Sequence, residues 1–282
     1  MALPPSCPGG QAAERPGRRP RVDSLRVKRD RQSESMLSVV FSSVFWVFLT
    51  VSSVICFPIA VVVWAVTAPF DPRRRALHLF TCFWASLYTW FNPAWPVTIE
   101  GRSKIREGVT YVMVANHQSL LDILVLFRLF VHFKWVSKAE IFRVPFIGWN
   151  MALNKYVKLR RGDKQSIAEM MRDSGEALGQ GNSIMIFPEG TRSANGHLKA
   201  FKIGAFALAK NHDVPLLPIL LHGTSAALPK RGFILRGYYR IRVRVLDEIP
   251  TESFASLSAN ELAERTHGLF RNGLGEMSMR AE

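Results

Sequence analysis

The sequence predicts an α/β protein: a three-layer domain with a central mixed, largely parallel sheet flanked by helices, preceded by an N-terminal membrane-embedded helical hairpin. From residue 97 onward, short β-rich runs alternate with helical patterns, which is typical of a sheet covered by helices on both faces. Before them, 36 consecutive residues (35–70) contain no Asp, Glu, Lys or Arg. We therefore divide the chain into a tail (1–34), a membrane-associated segment (35–95) and an α/β domain (96–282).

Composition narrows the possible classes of protein. The 282 residues are 48% hydrophobic, which is enough apolar surface for a core and excludes disorder for most of the chain. The three cysteines, Cys7, Cys56 and Cys82, lack the spacing of a zinc site and argue against a disulfide scaffold. Lys and Arg number 37 against 22 Asp and Glu, a formal net charge of +15. This excess calls for an anionic partner, either nucleic acid or an anionic membrane surface.

The sequence of the N-terminal third indicates that the anionic partner is a membrane rather than nucleic acid. Residues 1–34 hold eight Arg or Lys and four acids, so we expect a disordered basic tail. The uncharged run that follows would be roughly 54 Å long as one helix, well beyond a hydrocarbon core of ~30 Å. Pro58 divides the run and basic residues flank it on both sides, so we predict a membrane-embedded hairpin over residues 37–70, broken near Pro58. A single span and the buried core helix of a soluble protein are the alternatives.

A second run without Asp, Glu, Lys or Arg (76–99) follows a basic triplet at 73–75 and carries aromatic residues of the kind found at membrane interfaces: Trp84, Tyr88, Trp90 and Trp95. We expect residues 76–91 to lie in or near that interface. No helix-turn-helix, zinc finger or RNA-binding signature is visible in the sequence. The positive charge is therefore assigned to an anionic membrane, with no nucleic acid partner.

The α/β domain is predicted element by element. Strands are expected at 109–115, 134–137, 155–159, 183–187, 216–221 and 239–246, and helices at 119–130, 164–179, 202–211 and 258–268. Ser119 is expected to cap the first of these helices, and Ser258 with Glu261 forms the capping box of the last. In the strand 239–246, arginines alternate with aliphatic residues, which predicts a half-exposed strand with a basic face.

The first candidate site is the segment Asn-His-Gln-Ser-Leu-Leu-Asp at 116–122, where a β run ends and a helix begins. Ligands in open α/β sheets bind beyond the strand ends. Asp122, in the first helical turn, can fold back to His117 and hold the imidazole in one tautomer. The alternative is structural, because Ser119 and Asp122 also have the spacing of a capping box.

The second candidate site is Phe-Pro-Glu-Gly-Thr-Arg-Ser at 187–193, which again follows a strand. Gly190 allows close backbone approach, Thr191 offers a hydroxyl, and Arg192 is a forked donor suited to phosphate. The segment could also be an ordinary turn before a helix. Two sites at strand ends, one with a base and one with a phosphate binder, support each other.

Together these segments resemble the glycerolipid acyltransferases, specifically the 1-acyl-glycerol-3-phosphate (lysophosphatidate) acyltransferases. Further blocks agree: the segment after the first motif, from Lys138 to residue 149; the second motif at 156–163; and the apolar fourth motif at 214–219. The resemblance covers about residues 95–250. The second motif departs from the family pattern, with Asn154 and Lys155 where glycine is usual. It offers Arg160 and Arg161 as the phosphate-contacting arginine, and strand alternation favours Arg161.

The resemblance implies direct acyl transfer from acyl-CoA or acyl-carrier protein to a lysophospholipid hydroxyl, with 1-acyl-glycerol-3-phosphate as the acceptor and phosphatidic acid as the product. His117 would be the general base and Asp122 would hold it. Lys138, Arg161, Gly190, Thr191 and Arg192 would contribute to substrate binding, and Glu189 would orient the acceptor head or the arginine.

Backbone N–H groups near Gly190 could supply an oxyanion site. No cofactor or metal is expected. The enzyme would work at the cytoplasmic face of a membrane, the inner membrane if the source is bacterial. Rival hypotheses are an acyltransferase acting on glycerol-3-phosphate or another lysolipid, a metal-dependent phosphohydrolase using His117, Asp122 and Glu189 as ligands, and a non-catalytic membrane-binding protein.

Overall fold

The computed structural model describes residues 22–193, 197–229, 234–235 and 237–279. The chain groups into two compact units, Met1–Leu37 and Ser38–Glu282. Of the predicted disordered basic tail (1–34), residues 1–21 lie outside the described residues, and residues 22–34 belong to the first helix, which begins at Val22.

The elements alternate as the sequence predicts. The helices are α1 (Val22–Thr67), α2 (Arg75–Trp90), α3 (Leu121–Phe127), α4 (Ile147–Leu153), α5 (Lys164–Gly179), α6 (Gly204–Asn211), α7 (Thr224–Ala227) and α8 (Ala259–Met279). The strands are β1 (Val97–Glu100), β2 (Val112–Ala115), β3 (Phe133–Lys138), β4 (Val157–Leu159), β5 (Ser183–Ile186), β6 (Leu216–His222) and β7 (Ile241–Val245).

The seven strands form one mixed sheet in the order β1-β7-β6-β2-β5-β3-β4. Every neighbouring pair is parallel except β6 and β7, so β1 and β7 run opposite to the other five strands. The prediction of a mixed, largely parallel sheet flanked by helices is confirmed.

The two faces of the sheet bury separate cores, because successive side chains of a strand point to opposite faces. Met113 of β2 packs with the core formed by α2 and α3, and its neighbour Val114 packs with the core formed by α5, α6 and α8. Both residues are essentially inaccessible to solvent. The central strands are therefore covered on both faces, which is the three-layer arrangement expected of a largely parallel sheet.

The hairpin predicted over residues 37–70, with a break near Pro58, is wrong, and α1 and α2 form a helical hairpin instead. α1 continues unbroken through Pro58, and the chain turns back between Thr67 and Arg75. Pro58 removes only one backbone N–H donor from the helix. In an apolar environment the backbone groups of the flanking residues have no water to bond, so they keep their helical hydrogen bonds and the helix continues. The second arm is α2: the Ser52 hydroxyl lies 2.9 Å from the Tyr88 hydroxyl, and the rings of Phe48 and Phe91 are 6.0 Å apart.

The part of α1 at Ser38–Thr67 is long and apolar enough to cross a membrane. One of its faces packs inward through small and aromatic residues such as Ser42, Phe45 and Ala60. The opposite face is an exposed aliphatic stripe that runs the length of the segment: Val40, Val44, Val47, Val51, Val54, Ile55, Ile59, Val62 and Val66. We call these residues the α1 stripe.

The turn between the arms is bonded to the sheet rather than projecting from it. Lys134, in β3, is almost fully buried and its ammonium donates to the carbonyl oxygens of Arg73 at 2.7 Å and Asn154 at 2.8 Å. Burial lowers the pKa of Lys134 to about 8. Both arms of the hairpin therefore lie against the body of the protein.

Two further elements differ from expectation. α8 extends well past residue 268, because Phe270 and Met277 continue its buried face, although its predicted capping box between Ser258 and Glu261 does form. The basic face of β7 is also less open than predicted, since Arg244 is only 13% exposed and pairs with Glu100 and Glu276.

Candidate active site

The two predicted motifs meet because β2 and β5 are parallel neighbours in the sheet. Both strands end at the same edge, so the loops that leave them lie side by side. His117 follows β2, and the segment 187–193 follows β5. The backbone N–H of Ser193 donates to the carbonyl oxygen of His117 at 2.8 Å, which joins the loops directly.

His117 and Asp122 form a hydrogen-bonded pair. Nδ1 of His117 lies 2.8 Å from Oδ2 of Asp122, which also accepts the backbone N–H groups of Gln118 at 2.6 Å and Ser119 at 2.8 Å. One oxygen of Asp122 therefore contacts both the start of α3 and the imidazole of His117. Because a carboxylate only accepts, the proton sits on Nδ1 and Nε2 keeps its lone pair.

Two aromatic rings fix the plane of the imidazole. Phe187 stacks on His117 with ring centroids 4.0 Å apart and an interplanar angle of 11°. Trp135, from β3, stacks in turn on Phe187, with ring centroids 5.3 Å apart and an interplanar angle of 29°. Sequence reasoning missed both residues, although Phe187 was part of the motif, because nothing in a linear pattern shows that its ring meets a histidine seventy positions earlier.

Asn116 is a second residue that sequence reasoning left without a role. Its side-chain amide donates to the Leu221 carbonyl at 2.9 Å, and its side-chain oxygen accepts the Leu221 N–H at 2.8 Å. This pair of bonds ties the end of β2 to β6. The position of His117 is thus set from both neighbouring strands.

Glu189 lies beneath the site rather than in it. It is 4% exposed, and its two oxygens accept the backbone N–H groups of His117 at 2.7 Å and Lys199 at 3.1 Å. Burial raises the pKa of Glu189, while these two donors act in the opposite direction. These contacts position the backbone of His117, and the expectation that Glu189 orients the acceptor head or the arginine stays a prediction.

A largely apolar cavity of about 270 Å³ opens beside His117. Its walls come from the hairpin, α3, α4 and β3, including Leu49, Trp84, Tyr88, Leu124 and Trp135. Three cations, Lys138, Arg161 and Arg192, also line it. The site thus combines one imidazole, a largely apolar cavity and three positively charged side chains.

The structure separates the two candidate arginines of the second motif. Arg161 lines the cavity, where burial lowers its pKa; Glu140 raises it and the positive charge of Arg192 lowers it further. Arg160 is 71% exposed and lies 4.0 Å from Asp163. Lys138, at the cavity, also lies 3.4 Å from Glu140.

Gly190 and Thr191 lie in the turn that follows β5. Gly190 adopts a positive φ of 68°, and its N–H donates to the carbonyl of Phe187 at 3.0 Å. That N–H belongs to the turn and is not an oxyanion donor. Thr191 is half-buried beside it. Within the described ranges, no three His, Cys, Asp or Glu residues are grouped as they would be to hold a metal ion.

Residues 96–222 match the family model described as Acyltransferase. Over 176 residues, 61% of this chain, the sequence is 40% identical to a chloroplastic 1-acyl-sn-glycerol-3-phosphate acyltransferase of Arabidopsis thaliana, of which the match covers about half (49%). It is 28% identical to a 1-acyl-sn-glycerol-3-phosphate acyltransferase of Cocos nucifera, over 94% of this chain and 84% of that protein.

The fold has a solved counterpart. The crystal structure of the 1-acyl-sn-glycerophosphate acyltransferase PlsC from Thermotoga maritima superimposes with a TM-score of 0.72, covers 87% of this chain and 98% of that one, and is 23% identical. The α/β domain with its paired motifs is therefore that of an acyltransferase. Within that class, the chain is similar to 1-acyl-sn-glycerol-3-phosphate acyltransferases, and it spans about half the length of curated relatives such as those of Arabidopsis thaliana and Brassica napus.

Proposed function

We propose that the protein transfers a fatty acyl chain from acyl-CoA or an acyl-carrier protein to the free hydroxyl of 1-acyl-glycerol-3-phosphate, giving phosphatidic acid. The observation that carries the proposal is the pairing of His117 with Asp122 at the mouth of an apolar cavity that cations also line. A long acyl chain needs the apolar walls, and a phosphate needs the cations.

His117 acts as the general base in this reaction. Nε2 takes the proton of the acceptor hydroxyl as that oxygen attacks the thioester carbonyl carbon. The carbon–oxygen bond forms, the tetrahedral intermediate collapses, and the carbon–sulfur bond breaks. The imidazolium then returns its proton to the leaving thiolate, and Asp122 stabilises the positive charge between the two steps. No nucleophile from the enzyme is needed, because the acceptor hydroxyl attacks directly.

Arg161 and Arg192 hold the phosphate of the acceptor. Two guanidinium groups in one partly buried region disfavour each other, and a dianionic phosphate relieves that repulsion. The bound phosphate fixes the glycerol backbone, so its hydroxyl stays beside His117. Lys138 adds a third positive charge near the same cavity.

An acceptor screen tests the proposal. Purified protein in detergent is given labelled acyl-CoA with 1-acyl-glycerol-3-phosphate, glycerol-3-phosphate, or a lysolipid with a different headgroup, and products are separated by chromatography. The largest kcat/KM should fall on 1-acyl-glycerol-3-phosphate. A higher kcat/KM for glycerol-3-phosphate or another lysolipid would show that the acceptor is not 1-acyl-glycerol-3-phosphate. The control is His117→Ala, which should give no labelled product.

A parallel arm tests the metal requirement. We expect full acyl transfer after EDTA treatment, because the proposed chemistry uses a base and cationic side chains only. Loss of activity restored by one divalent ion, or release of phosphate instead of acyl transfer, would support the phosphohydrolase alternative.

We further propose that the hairpin holds the enzyme on an anionic membrane, from the cytoplasmic face. The α1 stripe, the exposed rings of Phe83 and Trp90 on α2, and the exposed ring of Phe91 just after α2 support this, since together they are a large apolar surface. The two arms lie against the protein body, so the stripe meets the bilayer along its side.

Vesicle flotation tests this membrane contact. Val47→Asp combined with Val54→Asp should reduce binding to vesicles containing anionic lipid by at least tenfold, because both residues are exposed in the α1 stripe. Ile167→Asp is the matched control: Ile167 is 43% exposed, but it lies on α5. Equal loss in both proteins would contradict the assignment.

A further inference from the structure

A segment next to the active site carries an apolar surface that the mechanism does not use. A single helical turn at Ala139–Arg143 follows β3, and α4 begins at Ile147. Val144 is 42% exposed and Trp149 is 47% exposed, and neither side chain lines the apolar cavity. We call residues 143–149 the α4 arm.

Three aromatic rings connect the α4 arm to α1. The ring centroid of Phe57, in α1, lies 5.9 Å from that of Phe146 and 5.5 Å from that of Trp149. The centroids of Phe146 and Trp149 are 5.2 Å apart. Residues three positions apart are neighbours on a helix surface, so Phe57 adjoins Val54 of the α1 stripe. The apolar surface of the α4 arm therefore continues the α1 stripe.

The backbone at Phe146 is strained where it places this ring against α1. Phe146 has a φ of 61° and a ψ of −59°, and the N–H of Ile147 donates to the Pro145 carbonyl at 2.6 Å. These are the features of a γ-turn with positive φ, which is rare and strained for a residue with a side chain. Ile147, the next residue, lines the apolar cavity. The turn thus directs two consecutive side chains to different places, one to α1 and one to the cavity.

The α4 arm is fixed from its buried side. A Cβ at Gly148 would collide with the Phe142 carbonyl, so glycine lets α4 lie directly on the helical turn before it. The side-chain amide of Asn150 donates to the hydroxyl of Thr81, in α2, at 3.0 Å. Both Asn150 and Thr81 are buried. The outer side of the arm is therefore presented by a segment that the interior holds in place.

Positive charge flanks the apolar surface of the arm. Arg143 is exposed at its start, and Lys155 and Lys158 are exposed after α4. Between residues 139 and 160, Glu140 is the only acidic residue, and it lies 3.4 Å from Lys138. Apolar side chains flanked by Lys and Arg are typical of segments that lie in an anionic lipid interface.

We propose that the α4 arm is a second membrane contact, which inserts Val144 and Trp149 into the lipid surface that the α1 stripe meets. The inference rests on the proposed attachment of the hairpin and adds a contact from another part of the chain. The surface continues the α1 stripe and is flanked by cations, so it fits a bilayer better than a protein partner. The cavity wall formed by Ile147 and Met151 then lies directly beneath the lipid surface.

A fluorescent label tests the contact. Cys7→Ser removes one thiol, the buried Cys56 and Cys82 are kept, and the fluorophore NBD is attached at Val144→Cys. The matched control is Ile167→Cys, since Ile167 is 43% exposed and lies on α5. Vesicles of phosphatidylcholine and phosphatidylglycerol with brominated acyl chains should quench the label at 144 about twofold relative to unbrominated vesicles. The label at 167 should keep its emission, and Cys7→Ser alone measures labelling of the buried thiols.

A third label, at Val47→Cys in the α1 stripe, keeps this proposal distinct from the attachment of the hairpin. Quenching at 47 and 144 but not at 167 supports both. Quenching at 47 alone overturns the contact of the α4 arm and leaves the hairpin attached. If no label is quenched, both proposals fail, and equal quenching of all three labels would show unspecific adsorption and overturn the second contact.

Substitution of the two exposed residues gives a functional test. Val144→Asp combined with Trp149→Ser should weaken vesicle binding about tenfold, because two apolar side chains leave the lipid. The kcat/KM for a short-chain acceptor dissolved as monomers should stay at the wild-type value, since neither residue lines the cavity. Unchanged vesicle binding, or an equal loss with the dissolved acceptor, would overturn the proposal.

Phe146→Gly tests the same surface if the double variant fails to fold. Glycine accepts the positive φ of this turn, so the variant keeps the backbone and removes the ring. Vesicle binding should again fall, with circular dichroism unchanged. Sedimentation in detergent covers the alternative of a protein partner: self-association of the wild type that Trp149→Ser abolishes would assign the surface to a second copy of this chain and overturn the membrane contact.

Discussion

The carboxylate of Glu189 accepts the backbone N–H of His117 at 2.7 Å, so the acidic residue of one motif holds the main chain of the other. Its second oxygen accepts the N–H of Lys199, which leaves both oxygens engaged with backbone. The side chain of His117 is held separately by Asp122. Two buried carboxylates thus position His117: Glu189 contacts its backbone and Asp122 contacts its ring.

Asp122→Asn should lower kcat by about 10²–10⁴-fold with the fold retained. An amide NH₂ facing Nδ1 of His117 favours the tautomer with the proton on Nε2, where it cannot accept from the acceptor hydroxyl. Circular dichroism and the melting temperature check that the variant is folded. The kcat of His117→Ala gives the rate expected when the imidazole is absent. A variant that kept half of the wild-type kcat would contradict the role of the pair.

Glu189→Gln should lower kcat and thermal stability while leaving the acceptor KM near its wild-type value. The amide keeps one accepting oxygen, but its NH₂ faces a backbone N–H, so one buried donor loses its partner at a cost of about 1–3 kcal/mol. Steady-state kinetics and thermal melts check this. A selective rise in acceptor KM would instead return Glu189 to direct substrate contact.

Arg161→Lys should raise the acceptor KM by about tenfold, because the ammonium keeps the charge but loses the two-pronged geometry that matches phosphate. Arg160→Lys is the control one residue away, exposed and beside Asp163, and its acceptor KM should not move. The acceptor KM of both variants is measured at a saturating concentration of the acyl donor. The assignment fails if the two variants behave alike.

Ala85→Leu should shift the enzyme toward shorter acyl donors. Ala85 is 6% exposed and lines the apolar cavity, so three added carbon atoms occupy space that a long chain would fill. The kcat/KM for the longest accepted chain should fall by about tenfold or more relative to a chain several carbons shorter. A competition assay with mixed acyl-CoA measures the ratio; an unchanged profile would place the chain elsewhere.

His132 should make stability depend on pH. Burial lowers the pKa of His132 to about 4, from an ordinary value of 6.5, so the unfolded chain binds a proton more readily than the folded one. Stability from this residue is present above pH 6.5 and is lost as pH falls through about 4. The melting temperature of His132→Gln should fall less over that interval than that of the wild type; parallel curves would contradict the shift.

The strands and helices and the contact between His117 and Asp122 could be predicted because each depends on residues close together in the sequence. Alternation and capping residues define α5 to the residue, and His117 with Asp122 lie within one strand–helix junction. The hairpin was placed wrongly because Pro58 is a strong local signal, whereas the continuity of α1 depends on its packing against α2. Glu189 and His117 are 72 positions apart in the sequence, so no spacing rule predicts their contact.

One helix, α2, forms the partition between the apolar cavity and the outside. Trp84 and Tyr88 face the cavity, and Phe83 and Trp90 on the same helix are exposed. Once the protein is extracted from lipid, detergent tails cover the exposed rings of α2. The cavity on the inner side of α2 is also apolar, so a detergent tail can occupy it in place of the acyl chain. Detergent should therefore behave as a competitive inhibitor against the acyl donor, and assays in different detergents should report different apparent chain-length preferences for one and the same enzyme.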